Sequence, residues 1–60
     1  MQTEFIQNLI EKRASVIVYT INGFQLRGCI VDLGEDYILV KCNGKTSMIF
    51  THAVSTISPA

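Results

Sequence analysis

Residues 15–28 read SVIVYTINGFQLRG, and the fold follows from how this stretch is parsed. Val16 to Ile21 is dense in β-branched and aromatic residues, the composition of a half-buried strand. Asn22-Gly23 then interrupts it. That pair favours a tight hairpin of type I′, because both central residues must take positive φ. Phe24 to Leu33 continues as a long second strand, with Gly28 near its middle. A glycine there suits a sharp bend or a close backbone approach.

Outward from this hairpin, the remaining elements fall into place. Residues 4–13 hold Phe5, Ile6, Leu9 and Ile10 at the spacing that gathers side chains on one helical face. Thr3 is a plausible cap, Glu4 sits at the positive end, and Lys12 and Arg13 close the negative end. A helix of this length is marginal alone, so its apolar stripe must pack on the sheet. On the other side, residues 34–36 make a turn, 37–42 a third strand, and Asn43-Gly44 a second hairpin signal. Residues 45–51 give a fourth strand and 54–57 a short fifth, stopped by Ser58-Pro59. The expected strands are thus 15–21, 24–33, 37–42, 45–51 and 54–57, in a single domain spanning 1–60. One helix and five short antiparallel strands imply a strongly bent sheet or small open barrel, mostly β.

Composition limits what such a domain does. Of the 60 residues, 48% are hydrophobic and 17% charged, which argues against disorder. No apolar run approaches the roughly 20 residues of a membrane-spanning helix. So small a domain buries only about 60% of its unfolded surface, and association with copies of itself would bury more. Five basic and five acidic residues give no net charge. That balance disfavours a non-specific nucleic-acid binder but not one that works by stacking and hydrogen bonding. Cys29 and Cys42 are too few for a secreted disulfide scaffold, and the N-terminus lacks a basic signal-peptide start. A cytoplasmic location with reduced thiols is expected.

Motifs for catalysis and metal binding are incomplete. Gly44-Lys45-Thr46 looks like the end of a phosphate-binding loop, but Leu39 stands where the first glycine is required and a strand follows instead of a helix. His52 and the two cysteines cannot complete a tetrahedral zinc site within one chain. His52 has no carboxylate nearby in sequence to orient it for catalysis. No enzyme activity, cofactor, metal or small-molecule substrate is expected.

Two segments carry residue types that a simple core does not require. Tyr19 and Phe24 flank the first turn beside Gln25, and flat rings with amide groups are what single-stranded RNA recognition uses. Taken alone, the two rings are better read as filling the core, where aromatics commonly dominate. Residues 50–59, FTHAVSTISP, put His52, Ser55 and Thr56 at a sheet rim, where His52 taken alone is better read as a hydrogen-bonded structural residue of the turn than as a ligand contact.

As an ordered pair, NGFQLRG at 22–28 and FTHAVSTISP at 50–59 resemble the Hfq family, the bacterial Sm-like RNA-binding proteins, in its Gram-positive form. The resemblance runs from Gln2 to Pro59. It implies an Sm-like (SH3-like) open barrel with one N-terminal helix. It also implies a homohexameric ring in which the fourth strand of one subunit pairs with the fifth of the next. Family members are RNA chaperones in post-transcriptional regulation by small RNAs. Their distal face takes purine-rich, A-containing tracts and their proximal face takes U-rich ends.

Carried over residue by residue, Tyr19, Gly23, Phe24, Gln25, Leu26 and Thr56 match the family's distal site. Tyr19, Phe24 and Leu26 would stack, Gln25 and Thr56 would hydrogen-bond, and Gly23 would admit a base near the backbone. On the proximal face Gln2 and His52 match, but the lysine before the histidine is Thr51. The pocket aromatic is Asp36, and the usual aspartate before it is Gly34. At the rim, Ile10, Glu11, Lys12 and Arg13 leave only two cations. Loss of an aromatic removes stacking worth about 1–3 kcal/mol per base, and Glu35 and Asp36 repel phosphate. The resemblance with these departures implies retained purine-tract binding and weakened U-rich and rim binding. A peptide-binding SH3-like module, or an Hfq-like oligomer with little RNA affinity, are the competing expectations.

Overall fold

In the computed structural model, residues 3–60 are described. Gln2 lies outside them. The helix α1 spans Thr3–Lys12, followed by β1 (Ser15–Thr20), β2 (Gln25–Leu33), β3 (Tyr37–Cys42), β4 (Lys45–Phe50), a three-residue 3-10 turn η1 (Thr51–Ala53) and β5 (Val54–Pro59). The strands form one antiparallel sheet in the order β4-β3-β2-β1-β5, not closed between its two ends.

Alternation along the strands decides which face is buried. Val16 and Val18 of β1, Ile30 of β2 and Ile38 and Val40 of β3 point to one face and are buried, together with Ile6 of α1. Leu9 and Ile10 of α1, Leu26, Leu33, Ile49 and Ile57 pack against this cluster. The helical stripe thus covers the inner face of the sheet, as a marginal helix requires.

Gly28 is where β2 crowds its neighbour. A Cβ there would overlap the main-chain carbonyl oxygen of Lys41, so only glycine lets β2 and β3 come this close. Further along β2, a bulge at Val31 shifts the pairing from Ile30–Val40 to Asp32–Leu39.

Several element bounds depart from the sequence reading. Arg13 is not helical: it follows α1 with φ 51°, while its N–H donates to the Ile10 carbonyl and that of Ala14 to the Leu9 carbonyl. This is the Schellman pattern, with a left-handed residue where glycine is usual. The fifth strand does not stop at Ile57. Ser58 pairs with Ile17 and Pro59 with Val16, and the Ala60 N–H donates to the Ser15 carbonyl. Pro59 is tolerated because β5 ends the sheet, where a missing N–H disrupts no ladder.

The two Asn-Gly pairs also differ. Asn43 and Gly44 both take positive φ, 52° and 81°, as a type I′ hairpin requires. At the first pair only Gly23 does, at 92°. There the chain uses a longer connection, residues 21–24. The Gly23 N–H donates to the Thr20 carbonyl, and the Thr20 hydroxyl donates to Asn22 Oδ1 at 2.6 Å while accepting from the Phe24 N–H at 3.0 Å. A side-chain hydroxyl at the strand end has replaced the two-residue turn with a turn followed by a left-handed glycine.

Candidate nucleic-acid interface

Strand register assembles the first candidate site. Tyr19 pairs with Gln25 on β2 and with Thr56 on β5, so these three residues stand abreast on the outer face of adjacent strands. Directly opposed residues lie about 5 Å apart at Cβ, close enough to act on one ligand. Tyr19 is half-buried, while Gln25 and Thr56 are exposed. Phe24, next to Gln25 at the end of the hairpin, is 70% exposed. Neither ring is enclosed by the core.

Gly23 lies in the same hairpin, and nothing stands within 4 Å of where its Cβ would be. Its positive φ sets the turn, and the space above its backbone is open. Leu26 is the exception to the expected set. It pairs with Val18, whose side chain is fully buried, and Leu26 itself packs against the core cluster. The period of two therefore turns it away from Tyr19, and the structure does not bring it into a stacking pocket with Tyr19 and Phe24.

The same period reveals neighbours that the motif comparison did not single out. Arg27, Ile17 and Ser58 form the next row on this outer face, with Arg27 exposed. Between Tyr19 and Thr20 the β1–β5 register shifts, leaving Ser55 as an extra, exposed residue beside the row. A bulge of this kind re-aims side chains and bends the strand. Arg27 was discoverable from alternation alone; the Ser55 bulge had no local signal.

The second candidate site centres on η1. His52 is exposed and its ring stacks on Phe50, with centroids 5.5 Å apart and planes inclined by 12°. Thr51 is half-buried, and its N–H donates to the Asp36 carbonyl, tying η1 to the acidic β2–β3 turn. Tyr37 pairs with Phe50, and its ring occupies the space a side chain at position 34 would need. Asp36 precedes Tyr37 in this turn and holds Thr51 through its main-chain carbonyl, and its own side chain is a carboxylate. Glu35 and Asp36 are both exposed in this turn.

At the helix end, Lys12 and Arg13 are exposed. Arg13 lines an open cavity of about 660 Å³ with Lys41, Cys29, Ile10 and Glu11. The Cys29 thiol lies 3.8 Å from the Arg13 carbonyl and donates to it. Both cysteines are free. Cys29 pairs with Lys41, so Cys42, one residue on, points to the opposite face. Lys41 is a cation beside the same cavity as Arg13 that spacing along the helix could not suggest, because it arrives from β3.

Comparison with known proteins bears on this arrangement. The Hfq protein family matches residues 1–60. The chain is 38% identical over 60 residues to the RNA-binding protein Hfq of Clostridium kluyveri, covering all of this chain and 73% of that one. It is 39% identical over 59 residues to the RNA-binding protein Hfq of Oceanobacillus iheyensis, covering 98% and 80%. A crystal structure of the pleiotropic translational regulator Hfq superposes with a TM-score of 0.88 at 29% identity, over 92% of each chain. An Hfq protein from Anabaena shares the fold, with a TM-score of 0.86 at 19% identity over 95% and 92%. The full-length match, the relatives of Gram-positive type and the shared architecture agree, and this chain belongs to the Hfq family, a family of non-enzymatic RNA-binding proteins.

Proposed function

We propose that this chain binds single-stranded RNA, takes purine-rich tracts on its outer face, and works as a cytoplasmic RNA chaperone in post-transcriptional regulation. The observation that carries this reading is the row Gln25–Tyr19–Thr56 on adjacent strands, with an aromatic ring 70% exposed at Phe24, next to Gln25 in the chain. Rings offer stacking, the Gln25 amide both donates and accepts, and the Thr56 hydroxyl does the same. Arg27 in the adjoining row supplies a cation for the phosphate between successive bases.

Binding at the η1 end is weaker in this reading. Thr51 offers no positive charge, and Glu35 and Asp36 oppose phosphate. His52 keeps a hydrogen-bonding ring there, already stacked on Phe50. The rim, with Lys12 and Arg13 beside Glu11, contributes little.

A homohexameric ring completes the proposal. Strands β4 and β5 end the sheet, and unpaired ladder groups on such edges favour pairing with another copy. Met48 and Phe50 of β4 are exposed apolar residues that this pairing would help to cover. Light scattering should return a sixfold mass.

The test of binding is fluorescence anisotropy with short A-rich and U-rich RNAs. Tight binding of the first and weak binding of the second is expected. Equal, tight binding of both would overturn the division between the two ends, and binding of neither would favour an oligomer without RNA affinity.

A further inference from the structure

Ile21 is 68% exposed, in a turn where small polar residues are usual. It is not a loose side chain on a loose loop. Its N–H donates to the Ala53 carbonyl at 2.9 Å, which ties the hairpin to η1. On its other side, the Thr20 hydroxyl and the Gly23 N–H brace the turn. Phe24, 70% exposed, closes the same loop. Between Arg13 and Arg27 there is no charged side chain, so this tip presents neutral, apolar surface of fixed shape.

From this we infer that Ile21 is a further base-contacting residue of the purine site, packing against the far ring of a purine stacked beside Phe24 and so favouring purines over pyrimidines. The inference rests on the proposed RNA site and deepens it. A neutral tip attracts no partner through charge, whereas a nucleobase is flat, apolar on its faces and neutral. A purine covers more of an apolar neighbour than a pyrimidine, and contact area converts to affinity. The backbone bond to Ala53 is made by any residue at position 21 except proline, so the side chain can be changed without freeing the loop.

The experiment compares I21S and I21V with the unaltered chain in anisotropy titrations against A-rich and C-rich RNAs of equal length. Ring mass by light scattering and the thermal midpoint establish that each variant is folded and assembled. I21S should weaken A-rich binding about fivefold and C-rich binding much less, while I21V loses little. F24A serves as the reference. If F24A abolishes A-rich binding and I21S leaves the A-to-C preference unchanged, Ile21 has no such role, although the site itself stands. Should neither substitution affect RNA, the underlying site is wrong as well. A change in self-association alone on I21S, with RNA affinity untouched, also overturns the inference and makes the tip a contact between copies.

Discussion

The hairpin end and the η1 end of this molecule are built from similar parts and present opposite surfaces. At the hairpin, the Tyr19 and Phe24 rings flank a braced turn, with Gln25 and Thr56 beside them and a cation, Arg27, in the next row. At η1, the Phe50 and His52 rings are stacked on each other, and the adjoining turn carries Glu35 and Asp36. On the proposed function, aromatic content alone would not make a base-binding surface. What matters is whether a ring face is left open and what charge surrounds it.

The largest effect is expected at the hairpin. Phe24→Ala should lower affinity for A-rich RNA by about 10- to 100-fold, the loss of ~1–3 kcal/mol of stacking, and leave any U-rich binding as it was. Anisotropy measures both. A parallel loss of U-rich binding would make the two ends parts of one site and break the comparison.

Gly34→Ala probes the η1 end. The added Cβ overlaps the Tyr37 ring, which must move, and overpacking of this kind costs about 1–2 kcal/mol in urea unfolding. Affinity for A-rich RNA should hold once the protein is folded.

A smaller gain is expected from Thr51→Lys. One added cation per subunit should strengthen U-rich binding about fivefold and steepen its salt dependence, with A-rich binding unchanged. No gain would mean that Glu35 and Asp36, not the missing lysine, govern that end.

The smallest effect concerns Arg13. Arg13→Gly relieves a left-handed residue at the helix end and should raise stability by about 0.5–1 kcal/mol in urea unfolding. RNA affinity at either end should move little, which would sharpen the view that the rim is minor.

Much of the fold was legible because alternation and turn residues are local signals. Val16 and Val18, or Ile38 and Val40, announce a buried face by spacing alone. The misreadings arose where one side chain redirected a backbone. Asn22-Gly23 and Asn43-Gly44 are the same dipeptide, yet the Thr20 hydroxyl competes for the first turn and lengthens it. Pro59 read as a stop, although an edge strand can hold it. The candidate row Gln25–Tyr19–Thr56 depends on residues far apart in sequence, so only register reveals that they stand abreast. Leu26 sits within the motif but obeys the strand's alternation and turns inward. η1 is three residues long, too short to leave a periodic trace.

The bulge at Val31 has a consequence for how this sequence tolerates change. Strict alternation beyond Ile30 would turn Asp32 inward and Leu33 outward. The extra residue reverses the phase, so Asp32 lies outside opposite Leu39 and Leu33 joins the interior opposite Ile38. The two halves of the longest strand thus keep separate hydrophobic codes. Either half can drift under mutation without dragging the other out of step, and a deletion of Val31 would remove the bulge yet leave Asp32 outside and Leu33 inside.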